Sequence, residues 1–266
     1  MIDNPRSPRV RAVAKLAKRE ARSETGLFLL EGPQAVAEAL AYRPDLIVDL
    51  FATPTALERH AGIAPAATTA GLEVEFVTEE VLAAMADTVT PQGVVAVCRQ
   101  FPTSIKDILG AEPKLIAILE EVRDPGNAGT IIRAADAAGA DAVVFTGRSV
   151  DLYNPKVVRA TTGSLFHLPV AVDNELESVI VRTKAVGLQV IAADIKGADL
   201  LAARKAGALA APTAWLFGNE ARGLSDEHYA LADWVITVPI YGRAESMNLA
   251  TAASVCLYES AFSQRS

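Results

Sequence analysis

The sequence has 266 residues, of which 51% are apolar and 21% are charged, and its formal net charge is −7. This length exceeds one typical domain of roughly 100 to 200 residues, so two domains are expected, and the apolar content excludes a largely disordered chain. The net negative charge, taken alone, argues against a polyanionic partner.

The two cysteines and three histidines are isolated from one another along the chain. None has the paired spacing of a zinc site or a disulfide framework, so no metal is expected. Cys98 and Cys256 lie in apolar stretches and are interpreted as buried thiols in a reducing compartment. The N-terminus lacks a secretory signal, and no membrane-spanning apolar run follows. We therefore expect a cytoplasmic protein.

The N-terminal segment carries a charge opposite to that of the rest. Residues 1–22 contain seven arginines and lysines against Asp3 and Glu20, which gives +5 and leaves −12 for the remaining residues. If residues 9–22 form one helix, five of these cations lie along one face. They are Arg11, Lys15, Lys18, Arg19 and Arg22. This face is predicted to bind the phosphates of a nucleic acid, and a solvated face without a ligand is the alternative.

Short apolar runs alternate with amphipathic segments through the first hundred residues. Strands are predicted at 27–30, 46–51, 74–77 and 94–98, and helices at 32–42, 54–60 and 78–86. The prolines and charges of residues 101–113 predict a linker. The predicted division is a first domain at 1–100, this linker, and a second domain at 114–266.

The second domain has the pattern of a parallel sheet covered by helices. Unbroken apolar runs predict strands at 114–119, 142–145, 189–193, 214–217 and 234–238, and helices are predicted at 127–138 and 246–262. The fold class is therefore α/β. The turn after its first strand lacks the Gly-x-Gly-x-x-Gly of dinucleotide-binding folds, and no Walker loop, His-Glu-x-x-His helix or Gly-x-Ser-x-Gly elbow occurs. The sequence therefore contains none of the usual motifs of an ATPase, a metalloprotease or an ordinary hydrolase.

Three polar clusters interrupt this apolar domain, each just beyond the carboxyl end of a predicted strand. The first cluster is residues 127–133, the second is residues 216–225 and the third is residues 238–252. Open α/β sheets bind ligands at this edge, so we expect the clusters to converge. Each has a simple structural alternative: a helix N-cap at Asn127 or Ser246, an exposed helix arginine at Arg133, or a glycine turn in the second cluster.

Together the three clusters resemble, in order and internal spacing, the three motifs of the SpoU (TrmH) family of RNA 2′-O-ribose methyltransferases. The resemblance covers residues 115–262, and the third cluster is similar to ribosomal RNA enzymes of the thiostrepton-resistance type. Residues 28–32 resemble the family's substrate-binding domain more loosely. Ala221 and Met247 depart from the glycine and leucine that are common there, and neither change removes a reactive group.

The resemblance implies a C-terminal, trefoil-knotted parallel-sheet methyltransferase domain, a smaller α/β N-terminal RNA-binding domain, and a homodimer that shares the site between subunits. The implied cofactor is S-adenosyl-L-methionine, held by the chain around six positions. These are Leu216, Gly218, Val238, Ile240, Met247 and Leu249. The implied catalytic residues are Asn127, Arg133, Glu220, Ser246 and Asn248.

We expect Arg133 to act as an electrostatic clamp on the ribose oxygen and a phosphate, because a guanidinium group is almost always protonated and is therefore a poor base. Asn127 and Asn248 would orient the hydroxyl and the arginine, Glu220 would fix Arg133 or its loop, and Ser246 would position the third cluster. The implied function is ribose 2′-O-methylation of 23S ribosomal RNA. The alternatives are a tRNA 2′-O-ribose methyltransferase and a non-catalytic RNA-binding or ribosome-assembly protein of the same fold.

Overall fold

The computed structural model describes residues 1–265. They form two compact units, which we describe separately. The first unit is Met1–Phe101 with Asp151–His167, and the second is Pro102–Val150 with the residues from Leu168 onward. In the described part of the chain, no helix is both long and apolar enough to cross a membrane.

The first unit is built on a four-stranded mixed sheet. In chain order, residues 1–101 form α1 (Pro8–Lys15), α2 (Arg19–Thr25), β1 (Leu27–Glu31), α3 (Pro33–Tyr42), β2 (Ile47–Ala52), α4 (Pro54–Arg59), α5 (Ile63–Thr69), β3 (Val74–Phe76), α6 (Glu79–Met85) and β4 (Val94–Arg99). The strand order is β1-β4-β2-β3, with β4 antiparallel to both of its neighbours and β3 parallel to β2. One face of the sheet packs against apolar side chains of α1 and α6.

Residues 9–22 do not form the single helix that the proposed basic face requires, because the chain turns between α1 and α2. Leu16 caps α1 and is 3% exposed in the core of the first unit, so the chain cannot continue as an amphipathic helix with one basic face. Arg22 is 2% exposed, and its guanidinium donates to Leu16 O, Ala17 O and Asp151 Oδ2 at 2.8, 2.9 and 2.5 Å. The prediction that Arg22 lies on an exposed RNA-binding face is therefore wrong. The other predicted cations, Arg11, Lys15, Lys18 and Arg19, are exposed.

The remaining residues form α7 (Ile105–Gly110), β5 (Leu115–Glu120), α8 (Pro125–Ala138), β6 (Ala142–Thr146), α9 (Pro155–Thr161), β7 (Val170–Val172), α10 (Leu176–Ala185), β8 (Gln189–Asp199), α11 (Leu200–Lys205), β9 (Thr213–Phe217), α12 (Asp226–Leu231), β10 (Trp234–Thr237) and α13 (Leu249–Arg265). All of them except α9 belong to the second unit.

The compact units differ from the predicted division in two places. The predicted linker contains α7, whose apolar side chains pack into the core of the second unit. The segment Asp151–His167 belongs to the first unit, where the Tyr153 ring lies 4.8 Å from the Phe28 ring and its hydroxyl accepts the Phe101 N–H at 2.7 Å. Both differences arise from contacts that periodicity along the chain does not report.

The second unit confirms the α/β fold. Its six strands are ordered β10-β8-β9-β5-β6-β7, and every neighbouring pair is parallel. Every residue of β5, β6 and β9 is buried, as expected for strands covered on both faces, and this burial explains their unbroken apolar sequences. From β5 the chain moves to β6 and β7 on one side, whereas β9 lies on the other side. The carboxyl ends of β5 and β9 therefore form a topological switch point, where such sheets bind ligands.

Candidate active site

The first cluster lies at the start of α8, directly after β5. The Asp124 carboxylate accepts the Asn127 N–H at 2.7 Å and is the N-cap, with Pro125 at the first helical position. The predicted helix start at Asn127 is therefore two residues late, and Asn127 is not the cap. Its side-chain amide is left available for other contacts. Arg133 lies further along the same helix, where it is exposed.

The second cluster is a tight turn after β9 that requires glycine. A Cβ atom on Gly218 would lie 2.6 Å from the carbonyl carbon of Gly223, and Gly223 has a φ of +65°. The two ends of the turn are joined by backbone hydrogen bonds between Asn219 and Gly223 at 2.8 and 3.2 Å. The glycine-turn interpretation is thus correct for the backbone, and the turn presents Glu220 outward.

The first and second clusters are joined by Glu220. Its carboxylate accepts the backbone N–H groups of Arg123 and Asp124 at 3.2 and 3.0 Å, and the side-chain amide of Asn127 at 3.4 Å. Next to it, the Asn219 side chain donates to the Glu121 carbonyl at 2.8 Å. These bonds hold the loop before α8 against the turn after β9.

The third cluster reaches the first through Asn248. Its side-chain amide donates to Asn127 Oδ1 at 2.9 Å, while its Oδ1 accepts the Thr251 N–H at 3.2 Å. The second bond, together with a 3.0 Å bond from Ala252 N–H to the Asn248 carbonyl, makes Asn248 the N-cap of α13. The predicted helix start at Ser246 is therefore wrong. Asn127 is held from both sides, by Glu220 and by Asn248.

A pocket opens beside these contacts at the carboxyl edge of the sheet. Four of the six positions predicted for the cofactor line it, as do two predicted catalytic residues. They are Val238, Ile240, Met247, Leu249, Glu220 and Ser246. Leu216 and Gly218 are not among the lining residues, and Phe217 and Asn219 line the pocket instead. Side chains alternate along a strand, so Leu216 faces the apolar core while its neighbour Phe217 faces the pocket.

Strand β8 also contributes to this pocket, which was not predicted from the sequence. Ala193, Asp194 and Ile195 line it, because β8 lies beside β9 in the sheet. Asp194 accepts the Tyr229 hydroxyl at 2.6 Å. Burial, and then the hydrogen bond to Asp194, raises the pKa of Tyr229 to about 12, so the phenol remains a donor at neutral pH. An acidic residue at the end of a predicted strand was the available signal.

The chemistry of the pocket fits S-adenosylmethionine. Aliphatic side chains such as Ile236, Val238 and Leu249 provide an apolar slot for an adenine ring. Asp194 and Asn219 add polar side chains to the lining, and the ribose and amino-acid parts of the cofactor need polar partners. In the described residues, no group of three or more His, Cys, Asp or Glu side chains could hold a metal ion.

The chain is similar to known RNA methyltransferases. Residues 114–258 match the model of the SpoU rRNA Methylase family, and residues 7–96 match an MRM3-like substrate binding domain. The chain is 32% identical over 262 residues to the 23S rRNA (guanosine(2553)-2′-O)-methyltransferase RlmP of Bacillus subtilis, with 97% of each chain covered.

Two solved structures are also similar over almost the whole chain. One is the AdoMet-bound rRNA methyltransferase from Sinorhizobium meliloti, with 34% identity, a TM-score of 0.84 and coverage of 97% of this chain and 96% of the other. The second is the SpoU methyltransferase AviRb from Streptomyces viridochromogenes in complex with AdoMet, with 28% identity, a TM-score of 0.82 and coverage of 97% and 99%.

Proposed function

The chain belongs to the SpoU rRNA methylase family, and from this premise we propose that it transfers a methyl group from S-adenosyl-L-methionine to a ribose 2′-hydroxyl of 23S ribosomal RNA. The observation that carries the proposal is the convergence of the three clusters on Asn127. Glu220 and Asn248 come from different loops and both bond to its side-chain amide, beside a pocket with an apolar slot. The named activity of RlmP, which matches the chain from end to end, supports the same RNA class.

Bound S-adenosylmethionine supplies an electrophilic methyl group, and the protein must position and activate the hydroxyl. Asn127 is suited to orienting this hydroxyl because its amide is fixed on both sides. Guanidinium groups are poor bases, so we assign Arg133 the stabilisation of negative charge on the ribose oxygen rather than the role of base. The proton then leaves to a phosphate oxygen or to water. Ser246, in the lining of the pocket, positions the third cluster.

The N-terminal unit is proposed to bind the RNA. Its family match is a substrate binding domain, and Arg11, Lys15, Lys18 and Arg19 are exposed in an otherwise acidic chain. Charge reversal at Lys15 and Lys18 is expected to weaken RNA binding and to flatten its salt dependence. Fewer phosphate contacts then form on binding, so fewer counterions are released from the RNA. Unchanged affinity and slope would show a solvated face instead.

The active protein is proposed to be a cytoplasmic homodimer. Large apolar side chains are exposed on the second unit, including Trp234 (55%), Tyr241 (85%) and Phe262 (52%), and such surface is typical of a contact with another chain. Light scattering of the purified protein tests this proposal, and a monomer at micromolar concentration would contradict it. The family's trefoil knot stays a prediction for this chain.

Mapping 2′-O-methylation across total RNA tests the function directly. Cells with and without the gene are compared, and we expect one ribose methyl group to disappear from 23S rRNA in the deletion and to return with the wild-type gene. Loss of a methyl group from tRNA instead would support the tRNA alternative. No change in any RNA would support a non-catalytic protein of the same fold.

A further inference from the structure

Two arginines meet on one carboxylate at the edge of the active site. Arg222 Nη2 and Arg123 Nη2 both donate to Glu121 Oε2, at 2.6 and 3.3 Å. The two nitrogens are therefore at most 5.9 Å apart, the sum of these distances. Arg123 immediately precedes the Asp124 cap of α8, and Arg222 lies in the turn of the second cluster. Two cations from different loops thus share one anion.

Among the described residues, this arrangement uses only part of the hydrogen-bonding capacity of the two guanidinium groups. A guanidinium has five N–H donors, and each arginine side chain gives one bond to Glu121. The side chains of Arg123 and Arg222 are 53% and 65% exposed, whereas that of Glu121 is 27% exposed. Of the residues that the structure describes, Glu121 is the carboxylate that both guanidinium groups contact, and the carboxylates of Glu220 and Asp124 lie on the same two loops. The remaining N–H donors of the two arginines, rather than a net positive charge, therefore make the cluster suited to an anion.

The backbone at Glu121 is held in an unfavourable conformation. Its φ of +51° lies in the left-handed region that side chains other than glycine rarely adopt. The conformation is fixed by the 2.8 Å bond from Asn219 to its carbonyl, by a 3.3 Å bond from its N–H to Thr146 O, and by the two arginines. Strain of this kind concentrates at functional sites, because only strong surroundings maintain it. Here it directs the carboxylate toward both guanidinium groups.

We propose that Arg123 and Arg222, brought together by Glu121, bind one phosphodiester group of the RNA beside the target ribose. Planar guanidinium groups match phosphate oxygens in paired hydrogen bonds, and the same loops carry Glu220 and the Asn127 contacts. The inference rests on the proposed function, which provides the RNA. Glu121 acts as a positioning residue, and the two arginines bind the substrate without taking part in the methyl transfer.

The test uses the full chain and an in vitro transcript of 23S rRNA without modifications. Arg123→Gln, Arg222→Gln and the double substitution are compared by RNA dissociation constant over a range of salt concentrations. If one phosphate is shared, the log–log salt slope of the double variant falls by about one and not by about two. With saturating RNA, kcat of the double variant stays within about twofold, while KM for RNA rises about tenfold, equivalent to the loss of about 1.4 kcal/mol.

Arg204→Gln is the matched control, since it removes one exposed arginine from an ion pair with Glu259 in the same unit. We expect it to leave the salt slope unchanged. A wild-type slope in the double variant, with a lowered melting temperature, would overturn the proposal and make the cluster a structural connection only. A fall of two would show two separate phosphates and would also overturn it. Because RNA binding is measured without turnover, these results are distinguishable from failure of the proposed methyl transfer.

Discussion

The side chain of Asn248 makes two hydrogen bonds, and one of them can be removed without the other. Its Nδ2 donates to Asn127 in the first cluster, and its Oδ1 caps α13 by accepting the Thr251 N–H. Asn248→Ala removes both bonds. Asn248→Ser retains a good capping oxygen, but the shorter side chain does not reach Asn127. Comparison of the two variants therefore distinguishes a catalytic contribution from a structural one.

The expected magnitudes follow from these bonds. Both variants lose the bond to Asn127, but only Asn248→Ala also loses the cap, which is worth about 1 kcal/mol. The melting temperature of Asn248→Ala should therefore lie roughly 2–4 °C below that of Asn248→Ser for a protein of this size. Loss of the neutral bond to Asn127 costs about 1 kcal/mol in the positioning of the active site. Both variants should therefore lose at least about fivefold in kcat.

The assay measures transfer of a radiolabelled methyl group to RNA with both substrates saturating, together with thermal unfolding of the same preparations. Asp199→Ala is the control, because Asp199 caps α11 in the same unit by accepting the Ala202 N–H at 2.9 Å. It should lose stability while keeping its kcat. Wild-type kcat in Asn248→Ser, with activity lost only in Asn248→Ala, would show that Asn248 is a helix cap alone and would refute the reasoning.

Three further substitutions or reagents test the account. Arg22→Ala should lower the free energy of unfolding by about 2–4 kcal/mol in urea titrations, because it leaves a partly buried carboxylate unpaired, whereas stability equal to that of wild type would contradict the buried ion pair. Thr183→Val should raise stability by about 1 kcal/mol in the same titration, since the Thr183 hydroxyl is buried without a partner among the described residues; a loss would indicate an undetected bond. Burial raises the pKa of the Cys98 and Cys256 thiols, so iodoacetamide at pH 8 should label both only after unfolding, and rapid labelling of the native protein would show exposed thiols.

The elements that the sequence predicted well are the ones whose burial is uniform. The strands β5, β6 and β9 are covered on both faces and appear as unbroken apolar runs, so their positions were predicted to within a residue or so. The short strand β7 and the helices α9 and α10 escaped notice. Their positions depend on contacts with distant parts of the chain, and α9 even packs in the other unit.

The site was predicted from its sequence motifs. The wrong predictions concern the residues at which α8 and α13 begin and the residues that cap them. Asp124 and Asn248 cap helices α8 and α13 because their side-chain oxygens accept backbone N–H groups of the first helical turn. From the sequence alone, Asn127 and Ser246 were the residues considered as caps. The helix pattern at residues 9–22 also concealed the inward turn of Arg22. Ion pairs between residues far apart in the chain, such as Arg22 with Asp151, leave no periodic signal.

The most direct test of the central claim is Arg133→Ala, measured for methyl transfer and for S-adenosylmethionine binding by calorimetry. Arg133 lies on α8, beyond the turn where Glu220 and Asn248 hold Asn127. We predict that transfer falls below detection while the cofactor binds with nearly unchanged affinity, because the pocket walls come from other loops. Turnover at the wild-type rate in this variant would contradict the account.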